Sequence, residues 1–402
     1  MFFTLFNIIM PMLNGYSPKS LEKIISLQEV IKLKLGRDRE EISNKLAKIS
    51  YAISDPDFKF ENVKTRIFKN QILFSTDSSE EYLALKLLDR VIRRIYQVSF
   101  TDKHSTTNCM VKILQDEKLH SIARLDFKSF FESVPRHKII KKIIDDSMLS
   151  QELLVILEKI DKKLADLNYS GLPRGLSLSS TLSEIYLRDL DRKVKSYNST
   201  YYYARYVDDI IVISLDDIKH TQSLISKNCE SLELNINWDK SLLINRNDNL
   251  DFDYLGFNFR FYLGKLKVSL SIKKIKKIKT RIIKSILDYS KNKDSKLLIK
   301  RIKYLTTNHT LYQNGEESVL KSGIYYTNQI INDFNCLSDL DSFLRKSISS
   351  KKGTYAKKVS SIPLADREII FKMSFFNGFI NKTLSEFSKA EHRIIKDCWD
   401  NE

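Results

Sequence analysis

Cysteine is scarce in this chain. Cys109, Cys229, Cys336 and Cys398 lie far apart and never approach a Cys-x-x-Cys spacing. That excludes a zinc-finger framework and predicts reduced thiols packed in the interior, as in a cytosolic protein. Long hydrophobic runs are also missing. The most apolar stretch, Met1–Leu13, has no basic leader and no small-residue cleavage site and is too short to cross a bilayer. It reads as a segment that packs on the body or on a partner subunit, and no membrane partner is expected. There is no internal repeat and no acidic tail. Acidic charge is in deficit: 67 Lys+Arg against 50 Asp+Glu leave +17 over 402 residues. A polyanion, nucleic acid first, is the natural partner, although a chain rich in Ile, Lys and Asn also gathers lysine through AT-rich coding. With 42% hydrophobic and 11% aromatic residues the chain folds, and its length allows two or three subdomains.

Periodicity divides the chain. A helix is expected from about residue 17 to 48, with Leu21, Ile24, Ile25, Leu27 and Ile31 on one side, and another over 80–95. Ser121–Phe131 reads as a short buried strand entering a turn, and Pro135 opens a helix carrying Ile139, Ile140, Ile143 and Ile144. Gly171-Leu-Pro-Arg-Gly175 is a compact turn before a helix over about 179–197. Two strands flank Asp208-Asp209; a helix over 218–231 then leads to a strand at 234–237, and 251–263 with 265–270 reads as a hairpin across Gly264. Strand, helix, paired strands, helix and strand in that order make a split βαβ, ferredoxin-like unit. Beyond Ser271 basic helices follow, with Ile272, Ile275, Ile278, Ile282, Ile283 and Ile286 as an apolar stripe. Lys346–Gly353 reads as an exposed loop.

The chemistry starts at Tyr206-Val-Asp-Asp209. Adjacent carboxylates at a strand-turn-strand tip repel each other, and buried flanks raise the penalty. A cation shared with a third carboxylate removes it; ordinary Asp-Asp turn chemistry is the plain alternative. Asp126 ends a strand that neighbours this tip in a split βαβ sheet. Two cations about 4 Å apart could then serve an in-line displacement. An ordinary strand-end acid is the alternative for Asp126.

The blocks Asp126-Phe-Lys-Ser-Phe-Phe131, Gly171-Leu-Pro-Arg-Gly175, Tyr206-Val-Asp-Asp209, Trp238-Asp-Lys240 and Tyr254-Leu-Gly-Phe257 resemble, in order, reverse-transcriptase motifs A to E. The resemblance covers roughly residues 94–271. It implies an α+β right-hand polymerase: an N-terminal extension and mostly helical fingers (1–120), a ferredoxin-like palm (121–271) and a basic helical thumb and C-terminal domain (272–402). The implied activity is RNA-directed DNA polymerisation from dNTPs with two Mg²⁺ ions, for which Mn²⁺ can substitute.

By the same resemblance Asp126, Asp208 and Asp209 are the catalytic acids and, with the carbonyl of Phe127, the metal ligands. Phe131 falls where the family keeps a ring against the sugar, which would exclude a 2′-hydroxyl; core packing is the other reading. Gly171, Pro173 and Gly175 would let backbone approach nucleotide and template closely, and Pro173, Arg174 and Gly175 are the nucleotide-binding candidates of this turn. Lys240 resembles the lysine that neutralises pyrophosphate, unless it is a solvated loop residue. Arg124 and Lys128 could face phosphates, or Arg124 could pair with Asp126 on the same strand face. Tyr254, Leu255 and Gly256 resemble the primer grip, and Lys103 and Arg94 are the candidates for triphosphate contacts. Arg174 departs from the Gln of many relatives and offers donors but no acceptor; Ser179-Ser180 stands where many have Ser-Pro.

The hallmarks of retron enzymes, of diversity-generating elements, of the group II intron endonuclease and of an RNase H domain are absent from the sequence. What remains resembles a stand-alone bacterial reverse transcriptase of the defence-associated, abortive-infection class, and within it the small reverse transcriptase of type 3 two-polymerase systems. The resemblance implies a dedicated noncoding RNA template, a DNA product, and a second reverse transcriptase or a second copy as partner. Three other readings stand beside it: protein-primed or template-independent synthesis on the same palm, RNA-dependent RNA polymerisation, which Phe131 disfavours, and a catalytically silent RNA-binding scaffold, which the intact acid set disfavours.

Overall fold

A computed structural model describes residues 15–116, 120–245, 248–312, 319–350 and 353–399. The apolar segment Met1–Leu13 lies outside the described residues. The chain divides into two compact units: 1–102 with 119–247, and 103–118 with 248–402. The fold is α+β.

The first unit begins with α1 (Pro18–Glu22), α2 (Leu27–Lys32) and α3 (Arg39–Ser54), so the single helix expected over 17–48 is three. The apolar spacing is helical, but capping chemistry restarts the helix twice. Ser26 and Glu29 form a reciprocal capping box, and the Asp38 carboxylate accepts the Glu41 N–H at 2.8 Å. The hairpin β1 (Val63–Phe68) and β2 (Gln71–Thr76) follows, then α4 (Ser79–Ile95), while α5 (Lys103–Leu114) belongs to the second unit. Ser78 caps α4, Arg93 and Arg94 lie in its last turn, and Leu83, Leu87 and Leu88 are fully buried.

The ferredoxin-like sheet contains β3 (Ser121–Leu125), with the helices α6 (Phe130–Ser133), α7 (Arg136–Asp145), α8 (Gln151–Asp166) and α9 (Leu178–Lys195) before β4 (Thr200–Tyr206). The strand β5 (Asp209–Ser214), the helix α10 (Ile218–Ser231) and β6 (Leu242–Ile244) complete it. The strand order is β4-β5-β3-β6 and every pairing is antiparallel. That is the order a split βαβ gives, with the first strand in the middle. Helix α9 packs on β4 and α10 on β3. The central strands accordingly read as apolar runs, with Ile210, Ile211, Val212 and Ile213 all buried.

The strand expected at 234–237 is reduced to one bridge, Phe127 to Ile236, and β6 takes the ladder position instead. Between the pair Arg124–Leu242 and this bridge, β3 advances three residues and its partner six. The three surplus residues bulge out of the ladder beside Asp126. They are Trp238, Asp239 and Lys240.

The second unit holds α5 and the meander β7 (Asp251–Tyr254), β8 (Phe257–Tyr262) and β9 (Lys265–Leu270). The hairpin across Gly264 is present between β8 and β9, but the single strand expected over 251–263 is broken into β7 and β8, because Leu255 and Gly256 are left-handed and turn the chain back on itself. It continues into α11 (Ile272–Asn292), α12 (Ser295–Thr306), β10 (Asn308–Tyr312) and β11 (Val319–Gly323). The chain ends in α13 (Asn335–Ile348), α14 (Gly353–Ser360), α15 (Leu364–Phe371), α16 (Phe375–Ile380), β12 (Leu384–Ser385) and α17 (Lys389–Asp397). On α11, Ile282 and Ile286 are buried while Ile272 is exposed. The loop expected at 346–353 is shorter than its polarity suggests: α13 runs on to Ile348 and buries Ser347 and Ile348. No helix among the described residues is long and apolar enough to cross a membrane.

Candidate active site

Asp126 follows the last residue of β3. Its N–H donates to Ser241 Oγ at 3.3 Å and its carbonyl accepts the Asn237 N–H at 2.8 Å. These contacts fasten the strand end to the bulge, which brings Lys240 Nζ to 3.8 Å from Asp126 Oδ2. The Arg124 guanidinium donates to the Lys240 carbonyl at 2.6 Å, bracing the bulge from the strand side. Lys128 is exposed and its N–H donates to the Asn235 carbonyl at 2.8 Å. Phe127 is buried and its ring stacks on Phe130.

The Tyr206–Asp209 pair closes β4 onto β5 through a two-residue turn, Val207-Asp208. Val207 has φ +61, a left-handed conformation that costs a β-branched residue about 1–3 kcal/mol. Asp208 stands at the tip. Burial first, then the charge of Asp126, hold its carboxyl above the usual range; a backbone hydrogen bond, Arg174 and Lys240 pull the other way. Asp126 and Asp208 therefore share one electrostatic neighbourhood with two cations. Asp209 is half-buried and opens β5. Among the described residues no group of three or more His, Cys, Asp or Glu side chains is arranged as a metal site. The hard oxygens of the Asp126–Asp208 pair fit a magnesium ion that takes its other ligands from water and phosphate.

Arg174 places its guanidinium 4.6 Å above the Phe131 ring and 3.5 Å from Glu132 Oε2. Beneath it Phe131 is 8% exposed and packs edge-to-face on Phe130. The turn carrying Arg174 is glycine-dependent for reasons internal to the protein. A Cβ on Gly171 would stand 2.6 Å from the Phe131 carbonyl oxygen. One on Gly175, where φ is +105, would stand 2.5 Å from the Phe74 carbonyl oxygen on β2. Pro173 is buried, and its carbonyl accepts the Ser179 hydroxyl at 2.6 Å.

Tyr254, Leu255 and Gly256 lie in the second unit. Leu255 (φ +47) and Gly256 (φ +82) form the two-residue turn between β7 and β8, and Tyr254 is buried. There Lys103 and Lys274 place their ammonium groups 5.4 and 4.7 Å from the Phe257 ring centroid. Lys103 therefore belongs with the β7–β8 turn, while Arg94 is exposed on the first unit. Burial, with Lys103 beside it, lowers the Lys274 pKa to about 7.

Two buried arginines of the first unit are absent from the sequence expectations. Arg136 donates from Nε to Asp161 at 2.5 Å, and from Nη1 to the carbonyls of Tyr169 (2.6 Å) and Gly171 (2.8 Å), so it supports the Gly171 turn. Arg205 pairs with both Glu184 and Asp191. The available signal was a seven-residue spacing of acids on α9, which puts both on one face.

Residues 80–259 match the family described as reverse transcriptase (RNA-dependent DNA polymerase). The match spans less than half of the 402 residues. No curated protein sequence matches the chain. Among solved structures it is similar to telomerase from Candida albicans in complex with a fragment of telomeric RNA: 16% identity, TM-score 0.40, covering 80% of this chain and 54% of that one. It is also similar to apo telomerase from Candida tropicalis: 12% identity, TM-score 0.41, covering 86% and 63%. The chain thus spans about half to three-fifths of the solved structures it resembles.

Proposed function

We propose that the protein is an RNA-directed DNA polymerase. The observation that carries the reading is the Asp126–Asp208 pair, two like charges held together at the tips of β3 and the β4–β5 hairpin inside the matched segment. Asp126 and Asp208, with the Phe127 carbonyl and Asp209, would hold the Mg²⁺ ions. When bound, these supply the positive charge that in-line attack of a primer hydroxyl on a dNTP requires. Lys240, 3.8 Å from Asp126, is placed to neutralise the departing pyrophosphate. Arg174 and Arg124 add positive charge around the pair, Lys128 faces solvent beside it, and Phe131 screens the sugar. Tyr254, Leu255 and Gly256 serve the primer end.

The biological setting we propose is bacterial antiphage defence, with a dedicated noncoding RNA as template and a second reverse transcriptase or a second copy as partner, in the cytoplasm. This rests on the motif resemblance and on the net charge of +17. The test is incorporation of labelled dNTPs on an RNA template. Asp208→Asn is expected to reduce it by about a thousandfold or more while circular dichroism and RNA binding are retained. Undiminished synthesis by that variant overturns the assignment. Product that stays on the protein after denaturation and is released by protease would identify a protein hydroxyl as primer.

A further inference from the structure

Arg205 precedes the Tyr206–Asp209 turn on β4 and is 5% exposed. A guanidinium carries five N–H donors in one rigid plane. Here there is an acceptor for each. Nε and Nη2 donate to the two oxygens of Asp191 at 2.9 and 2.7 Å. Nη1 and Nη2 donate to the two oxygens of Glu184 at 2.9 and 2.7 Å. The remaining Nη1 donor reaches the Val207 carbonyl at 2.8 Å. Two bidentate carboxylates fix the plane of the ion so that it cannot swing, and the Tyr203 hydroxyl braces Asp191 in turn. The one donor left over is spent on the strained residue next to Asp208.

Both carboxylates come from α9, which begins three residues after Gly175 and is tied to the Gly171–Gly175 turn by the Ser179–Pro173 hydrogen bond. We infer that Arg205, clamped by Glu184 and Asp191, is the positioning residue that holds Val207 left-handed and so fixes where the Asp208 carboxylate points. Helix α9 thereby keeps the Arg174 turn and the carboxylate turn in register. The inference rests on the polymerase reading for its catalytic consequence, though not for its effect on cation affinity.

Arg205→Lys keeps the charge but cannot span two carboxylates and a carbonyl. Its kcat is expected to fall about a hundredfold, with the dNTP KM within about threefold. In a Mn²⁺ titration followed by electron paramagnetic resonance, the midpoint should rise about tenfold, a loss of about 1.4 kcal/mol. Asparagine accepts the left-handed region more readily than valine, so adding Val207→Asn to the lysine variant should recover about tenfold in kcat. Glu184→Gln, which retains an acceptor, should move both readouts the same way by less. It carries the test if the lysine variant does not fold.

A folded variant with normal kcat and normal Mn²⁺ midpoint overturns the inference, as does a lowered melting temperature with both readouts unchanged per folded molecule. If the wild-type protein incorporates no nucleotide at all, the polymerase reading fails, and the Mn²⁺ titration still decides whether Arg205 positions the acids.

Discussion

Phe131 illustrates how a single side chain can belong to two arguments. Its ring lies in the core of the first unit with the Arg174 guanidinium above it, so removing it opens a cavity whatever its role toward a sugar. Phe131→Ala is expected to lower stability by about 3 kcal/mol in urea unfolding; a change near zero would contradict the packing. Use of rNTPs by the folded fraction then tests sugar screening separately. Lys274 gives the second residue-scale expectation. It is ringed by Lys103, Phe257, Asn328 and Cys336, and burial lowers its pKa to about 7, far below the ordinary lysine value of 10.5. Between those values the folded protein has released a proton that the unfolded chain still holds. Stability therefore gains from this group as pH rises from about 7, and below 7 the full penalty of burying the charge remains. Lys274→Met should remove that slope from urea midpoints at pH 7, 8.5 and 10; parallel profiles for variant and wild type would refute it.

Among elements, what could be read from the chain was whatever local chemistry determines. The span of α10 is the expected 218–231, and the paired strands around Asp208-Asp209 follow from apolar runs broken by a two-residue turn. The β1–β2 hairpin was not legible because its turn is Lys69-Asn70, both left-handed, where Asn-Gly or Asp-Gly is the usual signal. The bulge of Trp238, Asp239 and Lys240 was not legible either, since a register slip depends on two segments more than a hundred residues apart. The acids were recognisable as strand-end residues, whereas Arg205 reads as an edge-strand cation until its partners on α9 are in place. Arg136 belongs to this scale because it joins α7, α8 and the Gly171 turn. Arg136→Met should lower stability by about 2–3 kcal/mol in urea unfolding. That is less than a fully buried pair because Asp161 is 31% exposed. Nearly unchanged stability would show that the turn holds itself.

At the scale of the whole molecule, the two units are interleaved in sequence. The second takes 103–118 from between the two halves of the first. A fragment of residues 248–402 should therefore fold poorly alone, since it lacks the Lys103 that lies over Phe257 and the buried Met110 and Leu114 of α5. A peptide of residues 103–118 added in trans should raise its helicity and its melting temperature, by about 4 °C for each 1 kcal/mol of binding energy. No change in circular dichroism on titration would refute the interleaving.

That arrangement also sets a timetable during synthesis. Residue 118 leaves the ribosome about 130 residues ahead of residue 248, an interval on the order of 10 s at ordinary elongation rates. Throughout it, the first unit can complete its own sheet while the apolar residues of α5 still wait for the rest of the second unit. The nascent chain is thus most exposed to chaperones and to wrong pairing in the middle of its synthesis, and slower translation across 119–247 would lengthen that exposure.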